Sequence, residues 1–307
     1  MTIAGTGPQL QDELHRWAVS PDPALASAAA ELLAALPRAA GGGLRIQVFG
    51  PLTVERDGRP ARPGGLGPSA GSELRRRRVR QLLGLLVLER RLTRRRAADL
   101  LWPDLPAGRA THNLRVTLTH LRRLLDPEPV NGPKLLNGPK LVNGEAEVLR
   151  LAGPPHLEVD LWQFEALVDR ANRLRAQHRP ETAVAAYQEA LHLWRDDPLP
   201  DLHRTGATAM LERLFDQRRA ALLALGALLL DLGRAGEAIG LSEQAVLACP
   251  FDERAHRLAL AARLQIGDLP GARTVRRRLN LALANLGCPP EPATAVLLRR
   301  AERLLRG

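Results

Sequence analysis

Cysteine is almost missing from this chain: Cys249 and Cys288 are the two among 307 residues. They cannot build a disulfide framework, and neither sits at metal-ligand spacing, so an apolar core must hold the fold. Aromatic side chains make up 3 %. Trp162, Trp194 and Phe164 therefore read as anchors between helices, not as the walls of a ligand pocket. Long apolar runs are lacking as well. The stretch 82–88 is broken by Gly84 and the stretch 220–230 by Gly226, and both fall far short of the roughly 20 residues a bilayer span requires. Asp12 and Glu13 lie near the start, without the basic residues and apolar block of a secretory signal. A cytoplasmic protein without membrane contact is expected. Catalytic groupings are missing too. Eight histidines are scattered, no Ser/His/Asp, Cys/His or metal-ligand spacing converges on one element, and no Gly-x-x-x-x-Gly-Lys-Ser/Thr phosphate loop occurs. The expectation is a protein that is no enzyme, with no catalytic residue, no cofactor and no metal. Lysine is the last scarcity, with Lys134 and Lys140 the two among 44 basic residues.

What the chain has is length, arginine and helical periodicity. Single cores usually stop growing at about 100–200 residues, so 307 residues suggest two folded units. A composition of 45 % apolar and 25 % charged residues is that of a globular chain. The formal charge of +11 is unevenly spread: residues 44–130 hold 18 basic and 8 acidic residues, while 1–43 hold 2 and 4, 131–160 hold 3 and 4, and 161–307 hold 21 and 17. A surplus confined to one segment is the electrostatic footprint of a polyanion partner, because each neutralised phosphate releases condensed counterions.

Residues 1–43 combine Pro21, Pro23 and Pro37, an alanine-rich stretch at 24–36 that can form one helix, and the linker Gly41-Gly42-Gly43. They are too few for a phospho-acceptor domain. Alternation of apolar and polar residues at 44–48 and 52–55, with the turn pair Asp57-Gly58, predicts a small antiparallel sheet. Helical spacing begins over 75–90. Thr93 is placed to cap a second helix that ends before Trp102-Pro103, and a third runs from about Arg109 to Leu125. Next comes the tandem repeat NGPKLL, NGPKLV at 131–142, then the strand-like 148–151, together read as a closing hairpin with a lengthened approach. This order is that of a winged helix-turn-helix behind a small sheet.

The third helix is where function is expected. Leu114, Leu118, Leu121 and Leu125 recur on one stripe that should be buried. The opposite face then carries His112, Val116, Thr119, His120 and Arg123, flanked by Arg115 and Arg122, with no acid between Arg109 and Leu125. Such residues can read base edges, touch a thymine methyl and grip phosphates. Lys134 and Lys140, one in each repeat unit, can reach phosphate from the wing.

From 157 to 306 the pattern is helical, with breaks at Arg179-Pro180, 198–201, Gly233, Pro250, Gly267 and Pro289-Pro290. The string LGRAGEA at 232–238 returns as IGDLPGA at 266–272, a spacing of 34 residues, which is the period of tetratricopeptide helix hairpins. RPETA at 179–183 reads as an earlier, less regular member. The fold class predicted is mainly α with a small β component. An extension at 1–43 and a winged-helix domain at 44–155 precede an all-α tetratricopeptide-like domain at 156–307.

Six blocks carry a family resemblance: LRIQVFGPL at 44–52, DGRP at 57–60, ADLLWPD at 98–104, NLRVTLTHLRRLL at 113–125, VDLWQFEAL at 159–167 and ALHLWRDDPLPDL at 190–202. In this order they resemble the Streptomyces antibiotic regulatory protein family, the first four its OmpR-type DNA-binding domain and the last two its bacterial transcriptional activator domain. The resemblance implies a transcriptional activator that binds direct repeats in double-stranded DNA near promoters as paired protomers, a homodimer at least on DNA. It also implies contact with RNA polymerase. By position it puts His112, Val116, Thr119 and His120 on base-facing sites, with Arg94, Arg95, Arg115, Arg122 and Arg123 facing the backbone or in mixed roles. The alternative is a helical-repeat interaction protein whose winged helix serves docking or dimerisation instead of DNA.

Overall fold

The structure is a computed structural model that describes residues 44–56, 59–60, 73–125, 141–145, 147–153 and 157–306, with single positions at 17 and 28. The helix expected in 24–36, the Asp57-Gly58 turn, most of the tandem repeat and both lysines lie outside the described residues. The chain divides into two compact units, Met1–Trp162 with Asp196–Thr208, and Gln163–Arg195 with Ala209–Gly307.

In the first unit the elements run β1 (Leu44–Gln47), β2 (Thr53–Arg56), β3 (Arg59–Pro60), α1 (Arg77–Glu89), β4 (Arg91–Thr93), α2 (Arg94–Leu101), α3 (Ala107–Leu125), β5 (Val142–Glu145), β6 (Val148–Leu151) and β7 (Leu157–Val159). The alternation seen in the sequence sets the first sheet. Leu44 and Ile46 turn inward with Val54 of the antiparallel neighbour, and Ile46 lies opposite Val54. The strand order is β3-β2-β1-β7, with β7 parallel to β1 through the pair Ile46 and Val159. β4, β6 and β5 make a second sheet, its β5-β6 hairpin closing the winged helix. Between β4 and α2 the Thr93 hydroxyl caps the helix as expected, accepting from the Arg96 amide at 3.1 Å.

The expected break between domains at 155/156 is not where the compact units divide. β7 completes the first sheet. Just past it, the buried Asp160 carboxylate accepts from the amides of Val48 at 2.9 Å, Phe49 at 3.2 Å and Leu161 at 2.9 Å, tying the end of β1 to the helix that follows. Trp162 donates its indole N–H to the Val87 carbonyl at 2.9 Å and lies under the Arg90 guanidinium, 4.9 Å from the ring centre. The segment 196–208 also returns to this unit. Its 3-10 turn Pro200–Leu202 seats Leu199 and Leu202 over Gly84, where an added Cβ would stand 3.0 and 3.1 Å from their methyl groups. Gly84 thus interrupts the apolar run of α1 because a close approach needs it.

The second unit consists of α4 (Asp160–Ala176) beyond its first turn, α5 (Pro180–His192), α6 (Thr208–Asp231), α7 (Ala235–Ala248), α8 (Glu253–Gln265), α9 (Leu269–Leu286) and α10 (Pro292–Arg306). Every break lies where proline or glycine predicted it. The 34-residue repeat is also a repeat of backbone: Gly233 and Gly267 both sit at φ +76°. In each case the following amide reaches back to close the helix, Arg234 to the Leu229 carbonyl at 2.8 Å and Asp268 to the Arg263 carbonyl at 2.9 Å. The irregular earlier member makes the same turn with His178 at φ 56° and the Arg179 amide on the Leu174 carbonyl at 3.0 Å. Ala183, Ala238 and Ala272, equivalent small residues after each turn, are wholly buried and let paired helices approach closely. The fold class expected from the sequence is the one observed.

Candidate nucleic-acid interface

α3 is held by the expected leucine stripe, Leu114, Leu118, Leu121 and Leu125, which Leu124 joins. Leu114, Leu118, Leu121, Leu124 and Leu125 are at most 2 % exposed, each burial stabilising by about 1.5–3 kcal/mol. With that stripe inward, His112, Arg115, Val116, Thr119, Arg122 and Arg123 are exposed together, and Arg109 joins them one turn earlier. Arg109, Arg115, Arg122 and Arg123 have no carboxylate partner among the described residues. Val116 is 46 % exposed, an apolar side chain in the middle of a polar face. Thr119 donates its hydroxyl to the Arg115 carbonyl at 3.1 Å, which turns its oxygen lone pairs outward. Thr117, one residue pair inward, is buried and spends its hydroxyl on the Asn113 carbonyl.

His120 departs from the expected outward set. Its side chain is 18 % exposed and its Nδ1 lies 2.9 Å from the Glu73 carboxylate, itself 5 % exposed. The same carboxylate pairs with Arg76 at 3.1 Å. The position falls at the margin between the two faces, beside a buried acid ahead of α1. Glu73 was not singled out from the sequence, since it stands in a loop-like stretch with no periodicity to show its burial.

Two arginines of α1 make contacts within the fold. Arg78 covers the Trp102 ring at 5.3 Å, and its pKa is lowered first by burial and then by the charge of Arg77. Arg80 clamps Asp201 in the returning segment, Nε to Oδ2 at 2.6 Å and Nη2 to Oδ1 at 3.0 Å. At the start of α2 Arg94 is half-buried and Arg95 exposed, while Arg96 pairs with Glu89 at 3.4 Å. Among the described residues no group of histidine, cysteine and acids can hold a metal, and no helix is long and apolar enough to cross a membrane.

Residues 159–301 match the family described as bacterial transcriptional activator domain. A solved structure of Mycobacterium tuberculosis EmbR in complex with a low affinity phosphopeptide has a similar fold, with a TM-score of 0.69 at 24 % identity over 87 % of this chain. This chain spans 66 % of that one. No curated protein matches in sequence. Residues 159–301 thus carry a bacterial transcriptional activator domain, and the likeness to the EmbR structure is one of fold.

Proposed function

We propose that this regulator binds double-stranded DNA sequence-specifically through the outward face of α3. The observation that carries the reading is that face itself: four arginines without carboxylate partners among the described residues surround His112, Val116 and Thr119, with no acid along the helix. In a major groove His112 and Thr119 meet base edges, Val116 meets a thymine methyl, and Arg115, Arg122 and Arg123 meet phosphate or mixed positions, with Arg94 and Arg95 contributing from α2. His120 acts through Glu73, positioning the helix, and Lys134 and Lys140 reach phosphate from the wing. The protein works as an activator in the cytoplasm, at the nucleoid, paired as a homodimer on tandem half-sites near a promoter and contacting RNA polymerase. It has no enzymatic role.

The test begins with selection of an operator from random duplexes by the full chain, followed by titration of that operator and a scrambled duplex. Thr119→Ala and His112→Ala should each lose about 1–3 kcal/mol on the operator alone, while Arg122→Ala weakens both duplexes and lowers the salt slope by about one. Equal losses on both duplexes for all three variants refute base reading by α3. Absence of any salt-sensitive DNA binding returns the winged helix to a docking role.

A further inference from the structure

The last two helices break the charge pattern of the unit they end. Residues 161–268 hold 13 basic and 15 acidic residues, whereas 269–306 hold 8 and 2. In the earlier repeats carboxylates answer several of the guanidinium groups. Arg219 pairs with Asp216 and Asp252, Arg234 with Glu181 and Glu237, and Arg263 with Glu243 and Asp268. On α9 and α10, by contrast, Arg276, Arg277, Arg278, Arg299, Arg300 and Arg303 have no carboxylate partner among the described residues.

Apolar groups stand among these charges. Leu281 is 58 % exposed, Val296 59 % and Leu304 45 %. Helical spacing puts Arg273, Arg277 and Leu281 on one face of α9, and Val296, Arg300 and Leu304 on one face of α10. An open depression of about 500 Å³ runs along the first, lined by Arg273, Thr274, Arg276, Arg277, Asn280 and Leu281. Arg273 donates to the Leu305 carbonyl at 3.2 Å, which joins the end of α10 to this face.

We propose that the outer face of α9 and α10 docks an acidic amphipathic helix of a protein partner, its leucine-like side chains on Leu281 and its carboxylates on Arg273, Arg276 and Arg277. Charge complementarity selects an acidic partner. The exposed leucines select protein over nucleic acid, because phosphate would use the arginines and leave the leucines wet, whereas a protein interface uses both arginine and apolar contact. This surface stands independently of DNA reading by α3.

The probe is a labelled synthetic peptide of about 18 residues with leucines at one helical face and glutamates elsewhere, set against a scramble of equal composition and a short non-operator duplex. The full chain should bind the amphipathic peptide about tenfold more tightly than the scramble. The double substitution Arg276→Glu with Arg277→Glu should abolish most of that binding, and Leu281→Asp should remove the preference over the scramble. Arg173→Glu, an exposed position on α4, should change nothing. Equal binding of peptide and scramble, no binding of either, or displacement by the duplex with Leu281→Asp silent would each overturn the proposal, the last by assigning the face to nucleic acid.

Discussion

Asp201→Asn isolates the bond that holds the returning segment 196–208 on α1. Its carboxylate receives two N–H groups of Arg80, at 2.6 and 3.0 Å, and both side chains are about a quarter exposed. Hydrogen bonds to charged groups contribute about 1.5–3 kcal/mol when enclosed and exposed ion pairs about 0.2–1. Partial exposure therefore puts this pair near 1.5 kcal/mol. Asparagine keeps an acceptor oxygen and loses the charge, while Arg80 retains the carbonyls of Leu74 and Arg75, so the expected loss is about 1–1.5 kcal/mol at pH 7. The hydrogen bond from Arg80, opposed by burial and aided by the charges of Arg80 and Arg77, holds the Asp201 carboxyl below its ordinary value of 3.8. A depressed folded-state pKa contributes stability that is present above the unfolded value and lost as pH falls through the folded one. The difference between the two proteins should thus be full at pH 6–7 and shrink below about pH 4. Urea unfolding of the full chain, followed by tryptophan fluorescence, should show the first unit's midpoint lowered by roughly 0.3–1.5 M at pH 7, for m near 1–3 kcal/mol/M. An equal shift at pH 3 and pH 7 would show that the charge pair is not the source.

Three further outcomes follow from single positions. Gly84→Val should destabilise the first unit by about 1–3 kcal/mol through crowding of Leu199 and Leu202, measured by the same unfolding; no loss would mean that the turn yields freely. Gly267→Ala should cost about 1–2 kcal/mol at its left-handed turn, whereas His178→Gly at the matching turn should stabilise, both read from thermal midpoints; losses in both would break the equivalence of the repeats. Glu73→Ala and His120→Ala should each weaken operator binding, and the double variant should be no worse than the stronger single one; additive losses would assign His120 a contact of its own.

Element positions were legible wherever a local rule decides them. Thr93 before α2, the leucine stripe of α3 and the proline and glycine breaks of the second unit depend on neighbours within a few residues, and spacing displays such neighbours. Gly233 and Gly267 were visible as a repeat, though their shared φ was not. The division of the chain was less legible, because β7 and the segment 196–208 join the first unit through partners about 110–120 residues away, Asp160 on Val48 and Asp201 on Arg80. No periodicity encodes such a return. The motifs VDLW and DDPLPDL carried part of the family resemblance in the sequence, and in the structure they are braces of the first unit.

The site was read from the sequence as a surplus of arginine, and there the limit is physical. A net charge counts every guanidinium alike, whereas the field a polyanion meets depends on which ones keep their charge unanswered. Arg76 and Arg80 pair with Glu73 and Asp201 and Arg78 covers the Trp102 ring, so part of the surplus around the start of α1 is engaged within the fold. Arg109, Arg115, Arg122 and Arg123 lie on a helix without acids and have no carboxylate partner among the described residues, and the absence of acid along the helix is legible in one dimension. The same rule applied to α9, which also lacks acids, marks its arginines as unanswered although the second unit carries little net charge. Absence of acid along a helix removes the local partners, and an arginine is offered to a partner only where no distant carboxylate answers it either, as Asp201 answers Arg80.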